Sequence, residues 1–375
     1  MYGLVLSGGG SRGAYQAGVI KALYEIAVAK GISNPFQVFS GVSAGAINAT
    51  FSACYAHDPE YAVEYGPNLW KNISANQVFR TDAVSLGKNS LAWISNLSFG
   101  ALHHKQFSNY LLDTEPLWET LRSVLNFDMI ESNIKNKIVH SLSVTATNYS
   151  TSHCINFVQS TDKINHWERT KRKSVEAKIS LEHVMGSAAI PIFFPPIQIG
   201  NQYFGDGCLR NTAPVSPAIH LGAKKLIVVG VRKSDLVQKA DDIPMDHTPS
   251  IAKIASTLLN AVFLDAIDID IERMSRINRT IQKIPNHENS GLEPIEFIHI
   301  APSKVLSDIA LEHSSKMAKG LRNLLGGLGS LEDCSEILSY LLFDNEYCTE
   351  LLNLGYSDTL DKRKEIELFF QDNQT

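Results

Sequence analysis

Ser43 stands in the run Gly41-Val42-Ser43-Ala44-Gly45, between an apolar stretch of β character (Phe36, Val38, Phe39) and a helical run of small residues (Ala46, Ile47, Ala49, Phe51). Few backbones accept a serine enclosed in this way. The chain has to reverse sharply from strand to helix, which pushes the side chain outward and leaves no room beside the turn for anything larger than glycine. The helix that follows brings unpaired N–H groups and a dipole that favour the negative charge built up in acyl transfer. This is the pattern of a nucleophile elbow. A GxSxG string also occurs in small-residue strand–turn–helix segments that carry no nucleophile, so its meaning depends on the rest of the chain.

Two other segments bear on it. Tyr2-Gly3-Leu4-Val5-Leu6-Ser7 reads as a short buried strand running into Gly8-Gly9-Gly10-Ser11-Arg12-Gly13 and then a helix from about Ala14 to Ala29. Consecutive glycines let several backbone N–H groups point at one spot, which holds an anion without side chains. Further on, Phe204-Gly205-Asp206-Gly207 ends a stretch that reads as a β-hairpin. By itself an Asp between glycines is an ordinary turn residue.

In this order and at these separations, the three segments resemble the patatin-like phospholipase family. The resemblance implies a glycine-rich oxyanion loop at Gly8, Gly9 and Gly10, supported by Arg12 and Gly13. It implies a nucleophile at Ser43 between Gly41 and Gly45, and a partner carboxylate at Asp206 beside Gly207, a Ser-Asp dyad with no histidine. It also takes in the run from Met185 to Pro196, through Gly186-Ser187-Ala188-Ala189-Ile190-Pro191, and Asn211 to Pro217 with the strand at 225–231. One departure is Cys208, where the family usually has Gly or Ala after the DG pair; the side chain is small enough to fit.

A carboxylate in that role must do the work that imidazole does elsewhere. An unperturbed Asp, with a pKa of about 3.9, is a poor base for a hydroxyl unless its surroundings are dry. Partial burial of Asp206 is therefore expected, raising its pKa and strengthening its hydrogen bond to Ser43. The N–H groups of Gly9 and Gly10 would hold the oxyanion, with Gly8 shaping the turn. For Arg12 three roles stand: orienting the loop, contacting a head-group phosphate, or forming a surface salt bridge.

Rival readings fare worse. In α/β-hydrolases several βα units precede the elbow, and 43 residues leave too little chain for them. Of the twelve histidines, His57, His103, His104, His140, His153 and His299 read as strand, helix or loop residues without catalytic marking. Gly8-x-Gly10-x-x-Gly13 satisfies the dinucleotide fingerprint, but the second strand ends in the elbow and carries no acidic residue for a ribose. No Gly-Lys-Ser/Thr follows the glycines, so a Walker A loop is excluded as well.

Net charge is −5, from 34 basic and 39 acidic side chains, which gives no electrostatic case for nucleic acid. The five cysteines lack CxxC spacing, so reduced thiols are expected rather than a zinc site or disulfide framework, and neither a metal nor a cofactor is expected. The chain opens on a strand-like segment, not a charged n-region and apolar h-region, and no run of about 18 apolar residues occurs. A cytoplasmic or peripherally membrane-associated protein that meets lipid at a surface is expected. The Pro-interrupted apolar stretch 190–197 reads either as an acyl groove wall or as a buried connection. The cluster Arg169, Lys171, Arg172 and Lys173 reads either as a head-group contact or as a solvated loop.

Alternating strands and helices argue a three-layer α/β/α fold with a mostly parallel central sheet. Strands are expected at 137–148, 153–159 and 225–231, with a helix at 180–188 and a short one at 214–221. Residues 1–232 form the expected catalytic core and 233–375 a mostly helical C-terminal extension. The extension starts with the polar connection Asp241-Asp242-Ile243-Pro244-Met245-Asp246. It continues as one long amphipathic pattern at 251–281, and a strand at 295–300 is placed to return to the sheet. The extension reads equally as lid, dimer surface or brace, and the oligomeric state is left open. The function expected is hydrolysis of phospholipid or lysophospholipid esters through an acyl-enzyme. The alternatives are acyl transfer by the same serine and a catalytically silent lipid-binding protein.

Overall fold

The computed structural model describes residues 1–82, 85, 87, 110–233, 248–284 and 292–371; the Asp241–Asp246 connection, His103 and His104 lie outside them. The strands are β1 (Tyr2–Leu6), β2 (Val38–Val42), β3 (Ser141–Asn148), β4 (His153–Ser160), β5 (Glu168–Arg169), β6 (Arg172–Glu176), β7 (Ile197–Ile199), β8 (Gln202–Asp206), β9 (Lys225–Val229) and β10 (Glu296–Ile300). They form a ten-stranded sheet in the order β10-β9-β1-β2-β3-β4-β6-β5, with β8 also pairing β3, and β7 pairing β8.

The helices of the first half are α1 (Gly13–Ala29), α2 (Ala44–Cys54), α3 (Pro59–Lys71), α4 (Glu115–Val124), α5 (Phe127–Lys135), α6 (Leu181–Ser187) and α7 (Ser216–His220). Those of the second half are α8 (Ile251–Phe263), α9 (Asp265–Ile281), α10 (Leu306–Glu312), α11 (Lys319–Gly326), α12 (Ser335–Leu341), α13 (Asn345–Asp361) and α14 (Arg363–Phe369).

Five neighbouring strands, β10, β9, β1, β2 and β3, run parallel, whereas β4 and β8 are antiparallel to β3. The central strands β1 and β2 are buried along their whole length, as apolar runs covered on both faces should be. Side chains alternate between the faces: Leu4 and Leu6 join the larger core, while Val5 joins the smaller one with Val38, Val228, Ile267 and Met274. Helices therefore cover both faces, and the fold is a three-layer α/β/α sandwich with a mostly parallel sheet.

Several boundaries differ from the sequence reading, most by one or two residues. The pattern at 251–281 is two helices, α8 and α9, meeting at Leu264; Asp265 and Asp268 fall in the first turn of α9, where acidic side chains suit a new N-terminus. The strand expected from 137 starts at Ser141, because Lys137 takes φ 59° in the turn after α5. β9 ends at Val229, where Gly230 N–H turns to the Ile300 carbonyl at 2.9 Å.

The chain end returns to its beginning. Tyr2 Oη donates to the Phe369 carbonyl at 2.8 Å, and the Tyr2 and Phe369 rings meet edge to face at 5.5 Å. All five cysteines are free and buried.

Candidate active site

Backbone register sets the site before any side chain does. Val42, the last residue of β2, is paired with Thr145 of β3, and Ala146, the next residue of β3, is paired with Asp206 of β8. Ser43 and Asp206 thus leave their strands one step apart across β3. A Cβ added at Gly207 would lie 2.2 Å from the Thr145 carbonyl oxygen and 2.6 Å from Val42 Cγ2, so the turn after Asp206 closes directly on the strand that carries Ser43.

Ser43 itself is strained, at φ 56° and ψ −129°, a region that non-glycine residues rarely occupy and that clusters at active sites. Its neighbours make the sharp turn feasible. A Cβ at Gly45 would sit 2.4 Å from the carbonyl oxygens of Leu6 and Ser7, and one at Gly41 would sit 2.3 Å from the Gly45 carbonyl oxygen. The elbow is therefore pressed against the end of β1, where the glycine loop starts. α2 begins at Ala44, so its unpaired N-terminal amides and dipole lie beside the serine.

The loop reaches the same point. Gly8 packs where a Cβ would be 2.3 Å from Cys208 Sγ and 3.0 Å from Ser43 Cβ, which joins loop, nucleophile turn and acid turn in one contact. Gly10, at φ 56°, lines a narrow apolar cavity with Ser43, Ile47, Ile190, Phe194 and Phe343. Among the described residues, the N–H groups of Gly9 and Gly10 donate to no protein acceptor.

Asp206 is fully buried. Its Oδ1 accepts the Cys208 N–H at 2.9 Å, and its own N–H donates to the Ala189 carbonyl at 2.9 Å. Oδ2 is buried without a partner in full hydrogen-bond geometry. Burial pushes its pKa up to about 6, against the opposing pull of the Ser43 hydroxyl and the Cys208 amide. The partial burial expected of this acid is thus complete. Burial also pushes the Cys208 thiol far up, and the adjacent Asp206 charge adds to it, so the residue is an inert spacer and not a nucleophile.

Arg12 is 2% exposed. Its guanidinium pairs with Glu336, bonds Ser339 Oγ through Nε at 3.0 Å, and lies 4.7 Å from the centre of the Tyr340 ring. Glu336 is pushed up by burial, but the charge and hydrogen bond of Arg12 outweigh this and hold it below the usual carboxylate range. Ser11 Oγ donates to the Ser339 carbonyl at 2.8 Å, and a Cβ at Gly10 would be 2.3 Å from the Tyr340 carbonyl oxygen. The glycine loop is thus seated on α12, and Arg12 lies in neither the serine cavity nor a surface salt bridge. Gly13 meets the Trp70 ring, whose Nε1 donates to Asn48 Oδ1 at 2.9 Å, while Asn48 Nδ2 donates to the Gly13 carbonyl at 3.0 Å.

None of the described histidines lines the serine cavity. His140 faces Asp162, His153 bonds the Thr151 carbonyl, and His299 is half-buried in β10 with its pKa lowered to about 4 by desolvation. The basic cluster lies on the β5–β6 hairpin at the sheet edge farthest from β10. Residues 190–194 wall the cavity with Ile190 and Phe194. Among the described residues no group of His, Cys, Asp or Glu side chains converges on a metal position, and no helix is long and apolar enough to cross a membrane.

Sequence reasoning assigned no role to Ser187 or to α12. Ser187 Oγ accepts the Ser43 N–H at 2.9 Å and donates to the Thr145 carbonyl at 2.6 Å. Its place in a run of small residues at the end of α6 was the only sign of a tight packing position. The α12 contacts span more than 320 positions of chain and leave no local signal.

A strained serine at a strand-to-helix turn, a buried acid one strand away and an open glycine loop thus lie together on an α/β/α sandwich. The sequence profile of the patatin-like phospholipases matches residues 4–219, more than half of the chain, and the chain belongs to that family. Lysophospholipase nte1 of Aspergillus terreus is 45% identical over 64 residues, which are 17% of this chain and 4% of that protein's length. The crystal structure of VipD from Legionella pneumophila aligns with 97% of this chain and 67% of its own at 15% identity and a TM-score of 0.37, a likeness too low to bear on function.

Proposed function

We propose that this chain is a serine lipid acyl hydrolase that cleaves carboxylic esters of phospholipids or lysophospholipids, with Ser43 as nucleophile and Asp206 as its base. The observation that carries the reading is the buried Asp206 carboxyl, with Oδ2 unpartnered and its pKa pushed up to about 6 beside the Ser43 hydroxyl. A carboxylate tuned toward neutrality accepts a hydroxyl proton far more readily than one at its ordinary value.

In the first half-reaction Ser43 Oγ attacks the ester carbonyl carbon and its proton passes to Asp206 Oδ2. The tetrahedral oxyanion takes hydrogen bonds from the free Gly9 and Gly10 N–H groups, and loss of one such donor costs on the order of 3 kcal/mol in the transition state. Collapse breaks the ester C–O bond, and the departing alcohol takes the proton from Asp206. Water then attacks the acyl-enzyme, its proton goes to Asp206, and collapse returns that proton to Ser43 as the fatty acid leaves. The apolar cavity beside Ser43 suits an acyl chain, and the nte1 relative is named for a lysophospholipase activity. Acyl transfer with a histidine base finds no support, because none of the described histidines lines the cavity.

The test is incubation of the purified protein with a panel of diacyl and lysophospholipids, alongside labelling with a fluorophosphonate. Hydrolysis and labelling should both vanish in Ser43→Ala. Fatty acid release that persists in that variant would overturn the assignment.

A further inference from the structure

A second apolar surface lies on the other side of residues 190–194. Ile190 and Phe194 line the serine cavity, whereas Pro191, Ile192 and Phe193 line an open groove of about 630 Å³ between α8 and α11. Among the described residues, its rim holds a concentration of exposed aliphatic side chains: Ile192 is 56% exposed, Ile251 69%, Leu258 62% and Leu328 36%, with Ile254 of α8 at 52%.

Helix α8 is the unusual part. Its inner side is fixed by buried Ala252, Ser256 and Phe263, and Ser256 Oγ donates to the Asp333 carbonyl at 2.7 Å. Its outer side carries Ile251, Ile254 and Leu258, three and four residues apart, hence on one exposed stripe. A helix that is apolar on both sides belongs inside a core, against a partner or in a lipid interface. Opposite it, Ile192 is held at φ 72°, a real outlier for a β-branched residue, by bonds from Leu111 N–H to its carbonyl at 3.0 Å and Leu112 N–H to the Phe193 carbonyl at 2.8 Å. Strained backbone of this kind clusters at functional sites, and here it leaves an isoleucine more than half exposed.

We infer that this face, formed by Ile192, α8 and Leu328, is where the protein inserts into a lipid bilayer. The inference rests on the lipid hydrolase reading. Two observations favour lipid over another occupant. The groove shares its wall with the cavity of Ser43, so a lipid drawn up from the bilayer here is one segment from the nucleophile. The exposed cations Arg210, one residue from groove-lining Leu209, and Lys253, on the groove-lining helix α8, form no ion pair among the described residues and leave positive charge close to this face for head-group phosphates.

The experiment measures partition of the whole chain onto vesicles of non-hydrolysable ether phosphatidylcholine with ether phosphatidylglycerol, so binding is read without turnover. The double variant Ile251→Glu, Leu258→Glu should bind at least tenfold more weakly and lose hydrolysis of ester lipid in vesicles to the same degree. Its hydrolysis of a soluble short-chain ester should stay within twofold of the parent, which also shows that it is folded. In a second probe, Leu258→Trp, the emission of the introduced indole, taken as the difference from the parent with its four native tryptophans, should shift to the blue on vesicles and be quenched by brominated lipid. Unchanged vesicle binding by the double variant, or indole emission that brominated lipid leaves unquenched, overturns the docking face while leaving the hydrolase reading intact. A parent dimer that the double variant dissociates would show that a second copy covers the face, and overturns it too. Failure of the hydrolase reading is seen separately, as ester turnover that survives Ser43→Ala.

Discussion

The Ser43 N–H and the Ser187 hydroxyl lie 2.9 Å apart, and that hydroxyl donates its own hydrogen bond to the Thr145 carbonyl at 2.6 Å. The strained elbow is thereby tied to β3, the strand that lies between Ser43 and Asp206. Ser187→Ala leaves a buried N–H unpaired at the nucleophile, at a cost of about 1–3 kcal/mol in stability. With the elbow free to shift, kcat should fall about tenfold with little change in KM, since the apolar cavity is untouched. Urea unfolding and steady-state kinetics on a soluble ester check the two effects. A stable variant with parental kcat would show that the tie does not position Ser43.

On the proposed mechanism Asp206 sets the pH dependence. With its pKa near 6, the carboxylate needed as base is scarce below that value and complete above it. The log of kcat/KM should therefore rise with unit slope as pH increases toward about 6 and be flat from about 7 upward. Ser43 in Asp206→Asn lacks a base, and turnover should drop by at least a thousandfold at every pH. A profile that is flat from pH 4.5 to 8 would remove Asp206 from the proton path.

The same carboxyl costs stability. Below the unfolded value the group is protonated in both states and its burial carries no charge penalty. As pH rises from about 4 to 6, the unfolded chain ionises while the folded one keeps its proton, so folding is disfavoured progressively. Above 6 the full penalty is present, about 3 kcal/mol from the size of the shift. Asp206→Asn keeps an acceptor for the Cys208 N–H and loses the charge. It should melt several degrees above the parent at pH 8 and close to it at pH 4, which calorimetry at the two pH values reads directly.

The sequence carried the elbow, the loop and the acid because each is a local demand on the backbone: glycines wherever a Cβ would strike a carbonyl, as at Gly41, Gly45 and Gly207. It carried the layer order for a similar reason, since strands that are apolar over nearly their whole length, such as Leu226 to Val229 of β9, read as interior. Register was not legible. Nothing near Asp206 states that it will pair with Ala146, and that pairing is what brings it to Ser43. The break of 251–281 into α8 and α9 was hidden because both helices keep an apolar stripe, and only the acids at 265 and 268 mark the new start.

The least legible part was the support of the glycine loop by the chain beyond residue 233. Arg12 is almost wholly buried, and its charge is met by Glu336, whose side chain is 22% exposed. Removing one member of such a pair leaves the other poorly solvated, which costs roughly 3 kcal/mol. Lysine is no substitute, because the site uses the planar fork: Nε and Nη2 reach Ser339 and Glu336 while the guanidinium faces Tyr340. Both Arg12→Ala and Arg12→Lys should therefore lower the urea midpoint. They should also lower kcat, by about tenfold or more, because Gly9 and Gly10 lose their seat on α12. Glu336→Gln keeps an acceptor for the guanidinium and removes only the charge, so it should lose less of both. If Arg12→Ala kept parental kcat on a soluble ester while losing stability, α12 would be a brace for the fold alone and not for the loop.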